Sequence, residues 1–191
     1  VGRPPETCAC GYLRGSINVG LVGRFAEYAG GVARPGQAVV VVADDGREAE
    51  AKVRLARIGF DRVRGAVVDI ERLLAARPDL AARATRLAAR DLASWRDDEP
   101  ALQIVDVRNP IEQEAGVVPR ARCIPLARLL DRYPELDTMA PTVVYCAAGY
   151  RSSTAASLLR SVGFTQVADL QGGHDAWADA GLPTTRPETV A

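Results

Sequence analysis

The stretch GYLRGSINV at 11–19 returns in outline as GVVPRARCI at 116–124. VVVVADDGR (39–47) returns as TVVYCAAGYR (142–151), and RLARIGFDRV (54–63) returns as LLRSVGFTQV (158–167). Three matches in one order, at near-equal spacing, describe one unit used twice. Each unit alternates short apolar runs with segments of helical period. That alternation predicts an α/β fold, a mostly parallel central sheet with helices on both faces.

The second copy is the easier to read. LQIVDV (102–107) and TVVYC (142–146) are nearly continuous apolar runs, as strands buried on both faces are. Leu126, Leu129, Leu130 and Tyr133 recur at helical spacing, and Ala155, Leu158, Leu159 and Val162 form the inward face of a helix that Gly163 ends. Arg90–Asp98 reads as a helix and QVADL (166–170) as a short strand. Gly172 and Gly173 then turn the chain into HDAWADAG.

The first copy is short. Arg3 stands before Gly11 as Arg108 stands before Gly116, which puts Val1 where Asp106 sits. On that register the first copy lacks everything equivalent to about residues 86–105, a core strand included. A sheet without a central strand exposes apolar edges and unpaired backbone. The expectation is therefore a fragment, or a strand supplied from elsewhere. The expected division is 1–82, a truncated and degenerate copy with its connecting segment, and 83–191, the active copy.

Composition excludes several function classes. The formal net charge is zero, with 24 basic and 24 acidic residues, so nothing favours nucleic acid or an anionic membrane as partner. No apolar run approaches the roughly 18 residues of a membrane span, and no basic-then-apolar leader opens the chain. Lys52 is the only lysine, an arginine usage expected of GC-rich bacterial coding sequence. The cysteines Cys8, Cys10, Cys123 and Cys146 suggest no disulfide framework, which favours a cytoplasmic setting. His174 is the only histidine, and no second cysteine pair completes a metal site with Cys8 and Cys10.

The chemistry gathers in CAAGYRS, residues 146–152. Cys146 closes a strand at its carboxyl end, where open α/β sheets hold ligands. Ala147, Ala148 and Gly149 are small enough for the backbone to wrap a sulfur atom, and Gly149 suits a conformation that other residues disfavour. The amides of residues 146–151 are expected to converge on that sulfur, helped by the positive end of a helix beginning near Ser152. A free thiol is only a few per cent ionised near neutrality, so such a cradle would favour the nucleophilic thiolate. Arg151 is expected to fork onto an anionic donor, Tyr150 to line the rim, and Ser152 and Ser153 to cap the helix. The competing reading of Cys146 is a buried core thiol.

These residues resemble the rhodanese family of sulfurtransferases. IVDVRNPIEQEAGVVPRARCIPL (104–126) is similar to the family's Asp-Val-Arg and Gly-His-Ile-Pro-Gly-Ala segments. CAAGYRS fits its Cys-x-x-Gly-x-Arg-Ser loop, and LQGGHDAWADAGLP (170–183) fits its closing signature. Arg120 departs from the usual glycine, which puts the turn before Cys123 in doubt. The resemblance implies sulfur transfer through a persulfide on Cys146, from thiosulfate or a low-molecular-weight persulfide to cyanide, a thiol or sulfite. No metal or organic cofactor is implied. Ala147, Ala148, Gly149, Tyr150, Arg151, Ser152 and His174 would bind the small sulfur-containing substrates. The tandem layout also resembles the tail of fusion proteins in which a metallo-β-lactamase-fold persulfide dioxygenase precedes two rhodanese domains. The alternative reading is a module that holds sulfane sulfur, or docks a partner, without turnover. Cysteine phosphatases and arsenate reductases place five residues between cysteine and arginine, whereas four stand here, Ala147 to Tyr150.

In the first copy Ala43 stands in the cysteine's place, and Asp44 and Asp45 would repel an anion. That copy is expected to be inactive. Asp106 and Arg108 are expected to pair within the fold, and Trp95, Trp177 and Cys123 to pack.

Overall fold

The apolar runs of the second half become the centre of one sheet. The computed structural model describes residues 1–44 and 46–187. Strands β1 (Tyr12–Leu13), β2 (Val39–Val42), β3 (Val63–Val67) and β4 (Ala81–Ala82) belong to the first half. Helices α1 (Pro5–Cys10), α2 (Phe25–Val32), α3 (Glu48–Ala56) and α4 (Ile70–Ala76) alternate with them. The second half contains β5 (Thr85–Leu87), α5 (Ala89–Asp98), β6 (Gln103–Asp106), α6 (Pro110–Gln113), β7 (Ala121–Cys123) and α7 (Leu126–Arg132). It ends with β8 (Thr142–Tyr145), α8 (Tyr150–Ser161), β9 (Val167–Leu170) and α9 (Gly173–Asp179). None of the described helices is long and apolar enough to cross a membrane.

The second half forms a five-stranded sheet in the order β5-β9-β8-β6-β7, parallel throughout. β8 lies at its centre, and all four of its residues are buried, which is why TVVY shows no polar alternation. Successive side chains serve opposite faces. Val144 and Cys146 enter a core shared with the first half, whereas Val143 and Tyr145 pack with Leu92 and Trp177 on the other face. The chain changes sheets between β4, which pairs with β1, and β5, which pairs with β9.

Helix α8 differs from the one-sided helix expected. Every residue from Ser152 to Leu159 is buried. One side lies on β8 and β9; the other is covered by the first half, where α2 packs and the Asn18 amide donates to Ser157 Oγ at 2.8 Å. The small residues of STAAS suit a helix with neighbours on both sides.

The backbone bonding of the two halves also corresponds. In the second half Val107 N–H donates to the Tyr145 carbonyl, Ile124 N–H to Asp106 and Leu126 N–H to Val107. In the first half Gly2 N–H donates to the Val42 carbonyl, Val19 N–H to Val1 and Leu21 N–H to Gly2. Phe60 bonds back to Leu55 as Phe164 does to Leu159. Among the described residues, the first half nevertheless has only β2 and β3 paired in parallel, with an irregularity between Val39 and Val40.

Arg120 settles the doubt about its turn. It has φ 70°, the only positive φ outside glycine among the described residues. The left-handed turn is kept, and its guanidinium donates to the carbonyls of Arg96 (2.7 Å) and Pro100 (2.6 Å).

Candidate active site

Cys146 follows β8 directly and is 1% exposed. Gly149, at φ 94°, bends the loop back so that its own N–H donates to Cys146 Sγ at 3.2 Å. Ser152 Oγ lies 3.7 Å from Sγ. Among the described residues, Gly149 supplies the one loop amide bonded to sulfur; the wider convergence expected over residues 146–151 is not seen. The bend that brings the Gly149 amide within reach leaves Ala148 exposed at the loop tip.

Helix α9 holds the loop from behind. His174 N–H donates to the Cys146 carbonyl at 2.7 Å, and Asp175 N–H to the Ala147 carbonyl at 3.0 Å. The peptides are trans, so the N–H groups of Ala147 and Ala148 point away from α9. Gly173 makes this approach possible. A Cβ on it would lie 2.7 Å from the Ala147 carbonyl carbon and closer still to the carbonyl oxygens of Cys146 and Ala147. Its φ of 58° also favours glycine. The double glycine was visible in the sequence; the close approach that requires the second one was not.

Arg151 is engaged differently from expectation. Both terminal nitrogens bind Glu112, each at 2.6 Å, in a two-bonded fork. The pairing holds the Glu112 carboxyl down at about 2 and raises Arg151 further. Glu112 also completes the capping box of α6, accepting from Asn109 N–H at 3.0 Å. The sequence reading missed Glu112 as part of the site. Asn109-x-x-Glu112 is readable as a capping box, but the cation it meets comes from a distant segment.

Three further assignments are corrected. Tyr150 does not line an open rim: its hydroxyl donates to the Gly20 carbonyl and to that of Val22 (3.0 Å), and its ring meets Tyr28 at 5.7 Å. Ser152 and Ser153 do not cap α8, because the helix begins at Tyr150 with Gly149 as its cap, so both serines lie inside the first turn. His174 reaches Cys146 only through its backbone; its ring stacks on Tyr145, on the other face of the sheet. Burial and the nearby Arg108 lower the His174 pKa.

Asp106 and Arg108 pair with each other while buried, and Arg108 also donates to the Gly116 carbonyl at 2.7 Å. Trp177 is fully buried and donates to the Pro183 carbonyl. The four cysteines are free, and no group of three potential metal ligands occurs among the described residues. At the matching position of the first half Ala43 is buried, and Asp44 pairs with Arg3 at 3.4 Å. Asp45 and residues 188–191 lie outside the described residues.

A cysteine at the carboxyl end of a central parallel strand, with a left-handed glycine folding a short loop over its sulfur, defines a rhodanese-like α/β domain. Residues 88–180 match the rhodanese-like domain family. A protein named "Sulfurtransferase" from Allochromatium vinosum is 38% identical over 85 residues, which are 44% of this chain and 79% of that one. The probable adenylyltransferase/sulfurtransferase MoeZ of Mycobacterium tuberculosis is 32% identical over 120 residues, 59% of this chain and 30% of the relative. Among solved structures, the Alr3790 protein from Anabaena sp. is similar with 35% identity and a TM-score of 0.50, covering 54% of this chain and 94% of that one. The chain belongs to the rhodanese-like family, and sulfur transfer is the chemistry that its named relatives carry.

Proposed function

We propose that this protein transfers sulfane sulfur through a persulfide on Cys146. The Cys146 thiolate attacks the outer sulfur of thiosulfate or a small persulfide. The donor's S–S bond breaks, and sulfite or a thiolate leaves with the electron pair. Cyanide, a thiolate or sulfite then attacks the terminal sulfur of the persulfide, and Cys146 leaves as thiolate. Each step is a two-electron displacement, so no cofactor enters the balance. Ala147, Ala148, Gly149 and Ser152 line the sulfur's seat; Arg151 acts with its charge shared by Glu112.

The observation that carries this reading is the Gly149 N–H aimed at Sγ. A loop amide donating to sulfur stabilises an anion there, whereas a merely packed thiol needs no such donor. The test is thiocyanate formation from thiosulfate and cyanide. The wild-type chain turns over, and Cys146→Ser does not. Absence of turnover with thiosulfate and with glutathione persulfide alike overturns the catalytic reading.

The nearly sealed thiol favours a second reading, in which the site holds sulfur without passing it on. A gain of one sulfur atom by intact mass, lost on Cys146→Ser and not released to cyanide or thiols, distinguishes holding from transfer.

The halves are tandem copies in this reading: 1–82 a degenerate first copy and 83–191 the active second one. The corresponding backbone bonds and the sheet change between Ala82 and Thr85 support the division.

A further inference from the structure

A cavity of about 790 Å³ opens where the two halves meet. The β1–β4 ladder and the turn into β5 supply Arg14 and Arg83 to its lining. The end of α8 and the loop into β9 supply Arg160 and Phe164, and α5 supplies Trp95. The cavity lies at the amino ends of β5 and β9, whereas Cys146 follows the carboxyl end of the parallel β8. The two sites are therefore at opposite ends of the sheet. The volume is that of a small-molecule site, and the junction of two units is a usual place for one.

Its charge is one-sided. Three guanidinium groups line it, and among the described residues no carboxylate does. The chain as a whole carries no net charge, so the excess is local. Arg86 and Arg108 are held in ion pairs, but none of these three is, among the described residues. Arg14 gives one N–H to the Ala81 carbonyl at 3.1 Å, and Arg160 one to the Val167 carbonyl at 3.3 Å. Asp169 lies near enough to Arg160 to feel its charge, yet its ion pair is with Arg86 at 3.1 Å. Arg160 adds a second observation. Its guanidinium is held over the Tyr12 ring at 5.5 Å, and its Nε is buried with no hydrogen-bond partner. A buried N–H left without an acceptor is costly and uncommon. Tyr12 and the Val167 carbonyl thus fix this guanidinium while one of its donors stays unfilled.

We infer that this cavity binds a phosphate-bearing small molecule, whose phosphoryl oxygens are taken by Arg14, Arg83 and Arg160. Guanidinium groups stay charged at any physiological pH and fork onto phosphoryl oxygens. Three cations with no carboxylate among them match an anion of two or more charges; a single carboxylate would leave most of that charge unanswered. Two sources share this chemistry. One is an inorganic polyphosphate, and the other is a nucleotide, whose base has Trp95 as an aromatic wall. The inference rests neither on sulfur chemistry nor on the reading of the halves as copies.

The test titrates the full chain with pyrophosphate and with ADP by calorimetry. A Kd below about 1 mM is expected for at least one probe, weakening as salt is raised. Arg14 and Arg83 are exposed, so Arg14→Gln/Arg83→Gln leaves the core intact; it is expected to weaken binding by roughly tenfold or more. Arg57→Gln/Arg128→Gln removes two exposed arginines that do not line the cavity, and is expected to leave binding unchanged. Tighter binding of ADP, with a change in tryptophan fluorescence that Trp95→Phe abolishes, supports a nucleotide site; Trp177 is fully buried and does not report there. Tighter binding of pyrophosphate, without that change, supports an inorganic polyphosphate as the source. Binding of neither probe overturns the inference, as does binding that both arginine pairs weaken alike. The titration is repeated on Cys146→Ser, where binding is expected to persist. Its loss there would place the anion at the Cys146 loop and overturn the inference, whereas failure of sulfur transfer leaves these titrations unaffected.

Discussion

Arg151 and Glu112 close on each other through two bonds of 2.6 Å, joining the first turn of α8 to the capping box of α6. The pair sits at the edge of the Cys146 loop, and a thiolate at Cys146 adds to the field that keeps Arg151 charged. Glu112 therefore competes with the thiolate for one cation. Glu112→Gln keeps an acceptor for the Asn109 amide and removes the competing charge. Alkylation of Cys146 by iodoacetamide at pH 7 is expected to quicken by roughly two- to tenfold. An unchanged or slower rate would mean that the pair serves only to position the loop.

The same pair sets an acid limit. Folding lowers the Glu112 pKa from 4.5 to about 2. A carboxyl depressed in this way contributes stability that is complete above its ordinary value and is lost as pH falls through the folded one. The thermal midpoint of the wild type is expected to fall between about pH 4.5 and 2 more steeply than that of Glu112→Gln. Parallel curves for the two proteins would exclude Glu112 as the group responsible.

Gly173→Ala tests the hold of α9 on the loop. The added methyl meets backbone, which cannot swing aside as a flexible side chain can, and it also enters at a positive φ. Left-handed strain alone costs about 1–2 kcal/mol, and the contact adds to it. The expected outcome is a lowered unfolding midpoint together with loss of sulfur loading on Cys146, followed by circular dichroism and intact mass. A variant that melts and loads like wild type would show that α9 does not hold the loop.

Much of the active loop was legible because its signals are local. Cys146 at a strand end, Gly149 and a following helix are fixed by residues within one short stretch. So are β6, β8 and β9, whose ranges differ from the expected ones by a residue or two, whereas the short β5 and β7 were not expected. What escaped is what long-range packing decides. Arg151 was read as free because Glu112 lies on another element. Tyr150 was read as rim because Gly20 and Val22, its partners, belong to the other half. His174 was placed by its neighbourhood in sequence, but as the second residue of α9 it offers Cys146 its backbone N–H while its ring stacks on Tyr145. The serines after Gly149 were read as caps because serine favours that role, yet the left-handed glycine starts the helix before them.

Tyr150→Phe measures how firmly the halves are joined. The hydroxyl serves the carbonyls of Gly20 and Val22, and both lose it in the variant. A loss of about 0.5–1.5 kcal/mol is expected in urea unfolding, the net range for a hydrogen bond whose acceptors water can partly reach. If the midpoint stays within error of wild type, the contact contributes nothing to stability.

Ala43→Cys in a Cys146→Ser background asks whether a thiol alone makes a site. The new cysteine would follow β2 as Cys146 follows β8, and Ala43 is equally buried. Its surroundings differ in charge and in support. Asp44 lies next in the chain and is held by Arg3, itself also bound to Glu71, so a carboxylate stands beside the position an anion would need. GAVVD at 65–69 replaces the double glycine, so no counterpart of Gly173 allows a helix end to turn the loop carbonyls outward. A carboxylate beside a thiol disfavours the thiolate. Thiocyanate formation by the double variant is therefore expected to match that of Cys146→Ser alone. Turnover above that background would show that position in the fold, rather than the loop built around Cys146, is sufficient for sulfur transfer.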